Sequence, residues 1–279
     1  MAYAYLAAFG GAICYGVGSV LQSATARRVR GADHLDPKGL LNVTTRVPYL
    51  AGLGLDLVGW VLVLVALQQL PLFAVQAISA SSIGITVLLA SVVLKAKPNR
   101  PQLASIALMA CGLVALALAA APDDPEPVER GFVVAVWIAI AFVAVAGAVA
   151  PRLAKGDKAA SVLGIVSGLG YGGTAVCARA LEADGGVGDV LRDPLTWAII
   201  PYGILGIAFY AAALERGSVA VATASQYASE TLVPSIIGLA FLGDHAREGL
   251  GWLAASGFVI TLAAAVALTF VSPPEQAGG

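Results

Sequence analysis

Two carboxylates stand where carboxylates are rare. Asp56 falls near the middle of an apolar run over residues 49–69, and Glu230 near the middle of another over 217–241. An Asp at the centre of a membrane helix costs about 2.5–3.5 kcal/mol on insertion scales. It is tolerated when it faces a wet cavity, pairs with a cation or is protonated. No Lys or Arg is expected at comparable depth, which leaves protonation or contact with a ligand. A carboxyl that exchanges a proton suits a proton-coupled site. Two carboxylates facing one cavity also suit a divalent cation, with Asp56 and Glu230 as its ligands, although Mg²⁺ is usually held through several waters and one or two carboxylates.

The residues around Glu230 strengthen its case. Gln226 lies one turn earlier and shares its helix face, with Tyr227 and Thr231 alongside. The run Thr223–Thr231 is too polar for a lipid-facing stripe and should point inward. Gln76, Ser79, Ser81 and Ser82 stand at the corresponding depth of another apolar run. They suit hydrogen bonding to a solute or water, and the serines suit helix–helix adhesion nearly as well. Tyr15, Trp60, Tyr171 and Tyr210 are candidates to flank a substrate or gate it, with ordinary packing as the competing role. Pro234 lacks an N–H, so it frees the carbonyl of Glu230 and makes a hinge or a fixed bend beside the acid. Gly164, Gly168 and Gly172 form successive small-x-x-x-small steps that let a neighbouring helix approach.

Other chemistry is not indicated. Cys14, Cys111 and Cys177 all lie in apolar runs, odd in number and without a CxxC pair, so a disulfide framework is not expected. His34 and His245 sit in separate polar connections, and no HExxH spacing occurs. No nucleophile–base or metal constellation marks an enzyme, and no cofactor is implied. The basic segment 25–48 also holds Asp33 and Asp36, and reads as an orientation signal and not as a nucleic-acid surface.

The elements that must carry these residues follow from composition. Only 12% of the 279 residues are charged and 59% are apolar, against about 25% charged in a soluble domain. Something other than water must cover the surface, and the partner implied is the lipid bilayer. The alternation of outer-membrane β-strands is missing. Nine apolar spans are predicted, at roughly 2–24, 49–69, 71–93, 102–121, 131–151, 159–181, 195–214, 217–241 and 250–271, each long enough at 1.5 Å per residue for a core of about 30 Å. The fold class is an all-α polytopic membrane protein. Spans two and three should form one hairpin around Gln68–Pro71, and spans seven and eight another around Glu215–Gly217. Twelve of the sixteen basic residues fall in the connections on one side. By the positive-inside rule this puts the N-terminus outside and the C-terminus in the cytoplasm, with Arg130, Arg179, Arg192 and Arg247 on the outer side. A bacterial plasma (inner) membrane is expected. The first span has its positive cluster after the apolar run, as a retained helix does and an export signal does not. The stretch 121–129 reads as a solvated loop, and 272–279 as a flexible tail.

The chain also repeats itself. Gly10–Gly16 resembles Val166–Gly172. Leu67-Gln68-Gln69 with Phe73-Ala74-Val75 matches Leu214-Glu215-Arg216 with Val219-Ala220-Val221. Asn99-Arg100 followed by Cys111-Gly112 matches Ala246-Arg247 followed by Ser256-Gly257. The common order predicts a first unit over 1–121, a connector helix over 131–151 and a second unit over 159–271. With five crossings before the second unit begins, the two units run in opposite directions. An inverted repeat of four helices each is a ground plan of secondary transporters, with the substrate site at the repeat interface.

These motifs resemble the drug/metabolite transporter superfamily: Tyr15–Gln22 followed by basic residues, Gly54–Trp60, Ala66–Leu72 leading into Val75-Gln76-Ala77, and Ala213–Val219 in the second half. The nine-span layout is most similar to the NIPA-type, magnesium-transporter-like branch, over residues 5–271. The resemblance implies a transporter and, in its narrower form, transport of a divalent cation. Asp56 takes the position of a Glu in that branch's second-helix motif, while Gly59 replaces its Asn. Gly243-Asp244 keeps the acidic ending common before the last helix, whereas Leu94-Lys95-Ala96-Lys97 in the first half loses it. The expectation is a carrier of a small polar solute or ion by alternating access, with a proton as the simplest coupling ion, as monomer or homodimer. A divalent-cation transporter and a non-transporting membrane scaffold or accessory subunit are the alternatives.

Overall fold

Long apolar runs with turn residues between them leave helix as the structure that satisfies every backbone group within lipid. The computed structural model describes residues 2–30, 46–93, 98–121, 128–181 and 187–271. Eleven helices occur among them: α1 (Ala2–Arg30), α2 (Val47–Leu67), α3 (Leu72–Ala80), α4 (Ser82–Val93), α5 (Arg100–Ala119), α6 (Arg130–Leu153), α7 (Asp157–Ala180), the short α8 (Val187–Arg192), α9 (Pro194–Leu214), α10 (Val219–Phe241) and α11 (Gly251–Val271). Among the described residues the sole pairing of extended backbone is the isolated antiparallel bridge Ala120–Ala246. The segments read from sequence as the basic loop (31–45), the Lys95 and Lys97 connection, most of the acidic stretch (122–127) and the tail (272–279) lie outside the described residues.

Eight helices are long and apolar enough to cross a membrane, with α3 and α4 together forming one of them. α10 matches these in length at 23 residues but carries the polar run Thr223–Thr231 and is not one of the eight. The chain is a multi-pass helical membrane protein, and the apolar side chains on its outer surface, such as Leu57, Ile138, Phe142, Ile204 and Ile236, face lipid. Local signals set the helix starts. Asn99 and Gln102 form a reciprocal capping box at α5, Asp193 accepts from Leu195 N at 2.8 Å at α9, and Ser218 caps α10 through Val221 N. Each supplies an acceptor for N–H groups that have no partner within the helix. At Ser81 the hydroxyl donates to the Ile78 carbonyl at 2.6 Å and interrupts the third span between α3 and α4.

Packing joins α1 to α2, α7 to both α9 and α10, and α5 to α11. The third span behaves differently along its length. α3 packs against α10, α11, α7 and α2, whereas α4 rests mainly on α1, with lighter contact to α11 and none comparable with α7 or α10. α3 is buried almost throughout, and α4 is half-buried to exposed beyond Gly84. The end holding the Gln68–Pro71 hairpin turn is thus closed by α3, whereas α4 has little contact with α7 and α10.

Arg179, which the sequence reading counted among the basic residues of the outer side, has a partner that its spacing did not predict. It lies in the last turn of α7 and is fully buried. Its guanidinium meets Asp244 Oδ1 through Nε at 3.0 Å and Nη2 at 2.9 Å, and Nη1 donates to the Leu67 carbonyl at 2.9 Å. Asp244 Oδ2 accepts from Leu72 N at 2.6 Å. Gly243, with φ +72°, makes the left-handed turn that brings Asp244 back over the end of α10, where Asp244 N donates to the Gly238 carbonyl at 3.0 Å. A charge that is buried in this way persists because it is paired and hydrogen-bonded.

Candidate functional site

Glu230 is held by α10, and α10 is held by α7. The glycine face predicted on α7 packs against it: a Cβ on Gly164 would stand 2.5 Å from the Ala222 carbonyl, and one on Gly172 would stand 2.6 Å from Pro234 Cγ. Ser229 Oγ donates to the Ile165 carbonyl at 2.8 Å, and the Ser161 and Ser225 hydroxyls meet at 2.9 Å. These bonds fix the rotation of α10 and direct Gln226, Tyr227 and Glu230 along the interior. Gln226 Nε2 donates to Glu230 Oε2 at 2.6 Å. Gln226 is buried, while Tyr227 and Glu230 keep some accessible surface.

Tyrosines surround this carboxylate. The Tyr15, Tyr171, Tyr210 and Tyr227 hydroxyls all lie within electrostatic reach of Glu230. Tyr227 forms a side-chain hydrogen bond with Ser82, and Tyr210 one with Thr223 at 2.7 Å. The Tyr171 ring lies in the space left by Gly206, 3.1 Å from where a Cβ there would stand.

Asp56 belongs to the α1–α2 pair. Gln22 Nε2 donates to its Oδ2 at 2.6 Å, so each acid carries one amide hydrogen bond of the same length. Asp56 is half-buried. The Tyr15 hydroxyl lies within electrostatic reach of both Asp56 and Glu230.

Glu230, Gln226, Tyr227, Tyr15, Tyr171 and Tyr210 are accordingly one neighbourhood, with Asp56 joined to it through Tyr15. Thr231 turns away and is buried at 2% exposure, so it does not line an opening. Trp60 is half-buried one turn beyond Asp56, and Gln76 is buried in α3. No hydrogen bond among the described residues joins Trp60, Gln76 or Ser79 to either acid. The Ser79 hydroxyl is buried without a partner among those residues. It lies in the last turn of α3, three residues before Ser82. Sequence reasoning missed Gln22 and Gly18 as partners of Asp56. The signal was a glutamine inside an apolar run, whose partner only helix packing identifies.

A cavity of about 850 Å³ lies between α6, α7 and α10, lined by residues such as Phe132, Val136, Phe142, Gly172, Tyr202 and Pro234. Its lining is mainly apolar and includes neither acid. Glu230 and Asp56, each with its amide partner, lie outside it. Among the described residues no group of three or more His, Cys, Asp or Glu side chains is placed to hold a metal ion.

Comparison with protein-family models, with curated proteins and with solved structures returns no match for this chain.

Proposed function

We propose that the protein is a secondary carrier that moves a small polar solute across the plasma membrane by alternating access, with Glu230 exchanging the coupling proton. The observation that carries this reading is the Glu230 carboxylate itself. It sits inside the bundle with accessible surface, one amide partner and four tyrosines within electrostatic reach. An acid kept at such cost inside a membrane protein marks a solute or proton pathway.

The reading takes α10 as a ninth crossing and the chain as two inverted four-helix units, 1–121 and 159–271, joined by the connector at 131–151. The last helices of the two units, α5 and α11, pack closely: a Cβ on Gly112 would stand 2.7 Å from the Gly257 carbonyl, and one on Gly257 would stand 2.8 Å from the Gly112 carbonyl. The pairs α1–α2 and α7–α9 are equivalent under the repeat. The resemblance to the drug/metabolite transporter superfamily agrees with this plan. In the same reading the N-terminus and the Gln68–Pro71 turn lie outside, and the C-terminus lies in the cytoplasm.

Reconstitution tests it. Liposomes holding the protein and a trapped pH indicator are challenged with panels of amines, amino acids, sugars and Mg²⁺. A solute of the right class moves protons in the parent and not in Glu230→Gln. Parent-rate flux with unchanged pH dependence in a well-assembled Glu230→Gln removes the coupling role. Flux of Mg²⁺ without proton movement would favour the divalent-cation alternative.

A further inference from the structure

We infer that Arg179 and Asp244 form the outer gate of this carrier, a latch within the second unit that clamps the hairpin turn of the first. The inference rests on the carrier reading above and adds a conformational device to it. The ion pair itself is internal to residues 159–271, but two of its hydrogen-bond partners are not. Leu67 O accepts from Arg179, and Leu72 N donates to Asp244. These are the last residue of α2 and the first of α3, so the pair holds the two ends that the turn joins.

Further bonds between the units gather at the same end. Gln68 Nε2 donates to the Ala178 carbonyl at 3.0 Å. Arg247 N donates to the Ala119 carbonyl at 2.8 Å, and its Nε to the Ala120 carbonyl at 3.1 Å. A Cβ on Gly238 would meet both Asp244 Oδ2 and Leu72 Cβ, so glycine there admits the latch. Away from this end the third span has little contact with α7 and α10, and α4 keeps only its lighter contact with α11.

The latch can open as well as close. Leu67 O and Leu72 N are helix-terminal groups without partners inside their own helices. At the membrane edge water replaces the partners they lose. Arg179 and Asp244 can remain paired while the hairpin leaves, so opening does not require the charges to separate. The sequence makes the device one-sided. Under the repeat, Ser23 corresponds to Arg179, and Lys97 to Asp244, so the first unit has no acid–base pair at the equivalent positions. The ion pair therefore belongs to the second unit alone, and with it the latch at the outer end.

Thiol accessibility tests the gate without a known substrate. Cys14, Cys111 and Cys177 are replaced by alanine, and a single cysteine is introduced at Leu72→Cys, beside Gly238, or at Thr86→Cys, one turn beyond Ser82. A membrane-impermeant maleimide is applied to vesicles of each orientation. In the parent background Thr86→Cys should label from one side and Leu72→Cys hardly at all. Adding Arg179→Met with Asp244→Leu, which leaves no lone buried charge, should speed Leu72→Cys labelling at least tenfold, from the side opposite to that which reaches Thr86→Cys. An unchanged rate in a double variant that elutes like the parent overturns the gate. If that variant does not assemble, Asp244→Asn serves, and an unchanged rate there overturns it equally. Protection of Thr86→Cys from both sides would instead remove the carrier reading, so the two failures are distinguishable.

Discussion

A Cβ on Gly18 would stand 2.5 Å from Asp56 Oδ1, so the Asp56 carboxylate occupies the notch that glycine leaves on α1. The same notch brings Gln22, one turn along α1, to within hydrogen-bond distance of the other carboxylate oxygen. Gly18→Ala should push Asp56 out of this position, while alanine is the better helix former by about 1 kcal/mol. A misplacement of about 1 Å can cost a site on the order of 10²-fold, and transport should fall by one to two orders of magnitude. Flux by Gly18→Ala protein of normal thermal stability checks this, and parent-level flux would separate Asp56 from the pathway.

Replacing Glu230 by Gln keeps the shape and removes the exchangeable proton. Solute uptake driven by a pH gradient should be lost, while solute exchange at equal pH on both sides persists. Gln226→Leu should act more mildly. It removes the 2.6 Å amide bond to Glu230 but keeps the acid, and it should shift the pH profile of flux without abolishing it. Flux measured across a pH series for both variants separates the two roles.

Pro234 packs 2.6 Å from where a Gly172 Cβ would stand and leaves the Glu230 carbonyl without its helix partner. Pro234→Ala restores that N–H and stiffens α10. Solute affinity should stay near the parent value while turnover slows several-fold. Equilibrium binding and initial flux on the same preparation test this split.

The Gly112–Gly257 contact is tight in both directions. Gly112→Leu forces α5 and α11 apart, and overpacking of this kind costs about 1–3 kcal/mol. The midpoint of thermal unfolding in detergent should fall, with Gly257→Leu falling by a similar amount if the contact is reciprocal.

Arg179→Ala removes the partner of a fully buried carboxylate. Stranding a buried charge costs about 3–5 kcal/mol, so this single change should destabilise more than Arg179→Met combined with Asp244→Leu. Comparison of unfolding midpoints for the three proteins checks the ordering.

Periodicity and composition alone determined the helical class, the position of each long helix to within a few residues, and the interior acids Asp56 and Glu230. These are one-dimensional properties: an apolar run must become a helix in lipid, and a carboxylate inside it must be explained. The polar face of α10 was legible for the same reason, since Gln226 and Glu230 are one turn apart. Even the Gly164–Gly172 face on α7 could be read from its spacing. Which residues meet across helices was decided only by tertiary structure. Gln22 reaches Asp56 because glycines let α1 and α2 approach. Thr231 shares the sequence neighbourhood of Glu230 yet points into packing, because a helix turns 100° between adjacent residues. Arg179 read only as a basic residue of the outer side, and its pairing follows from Gly243, whose left-handed turn carries Asp244 back to meet it. Spacing along one chain sets helices and faces; the partner of a buried charge is set by the approach of chain segments that lie far apart in sequence.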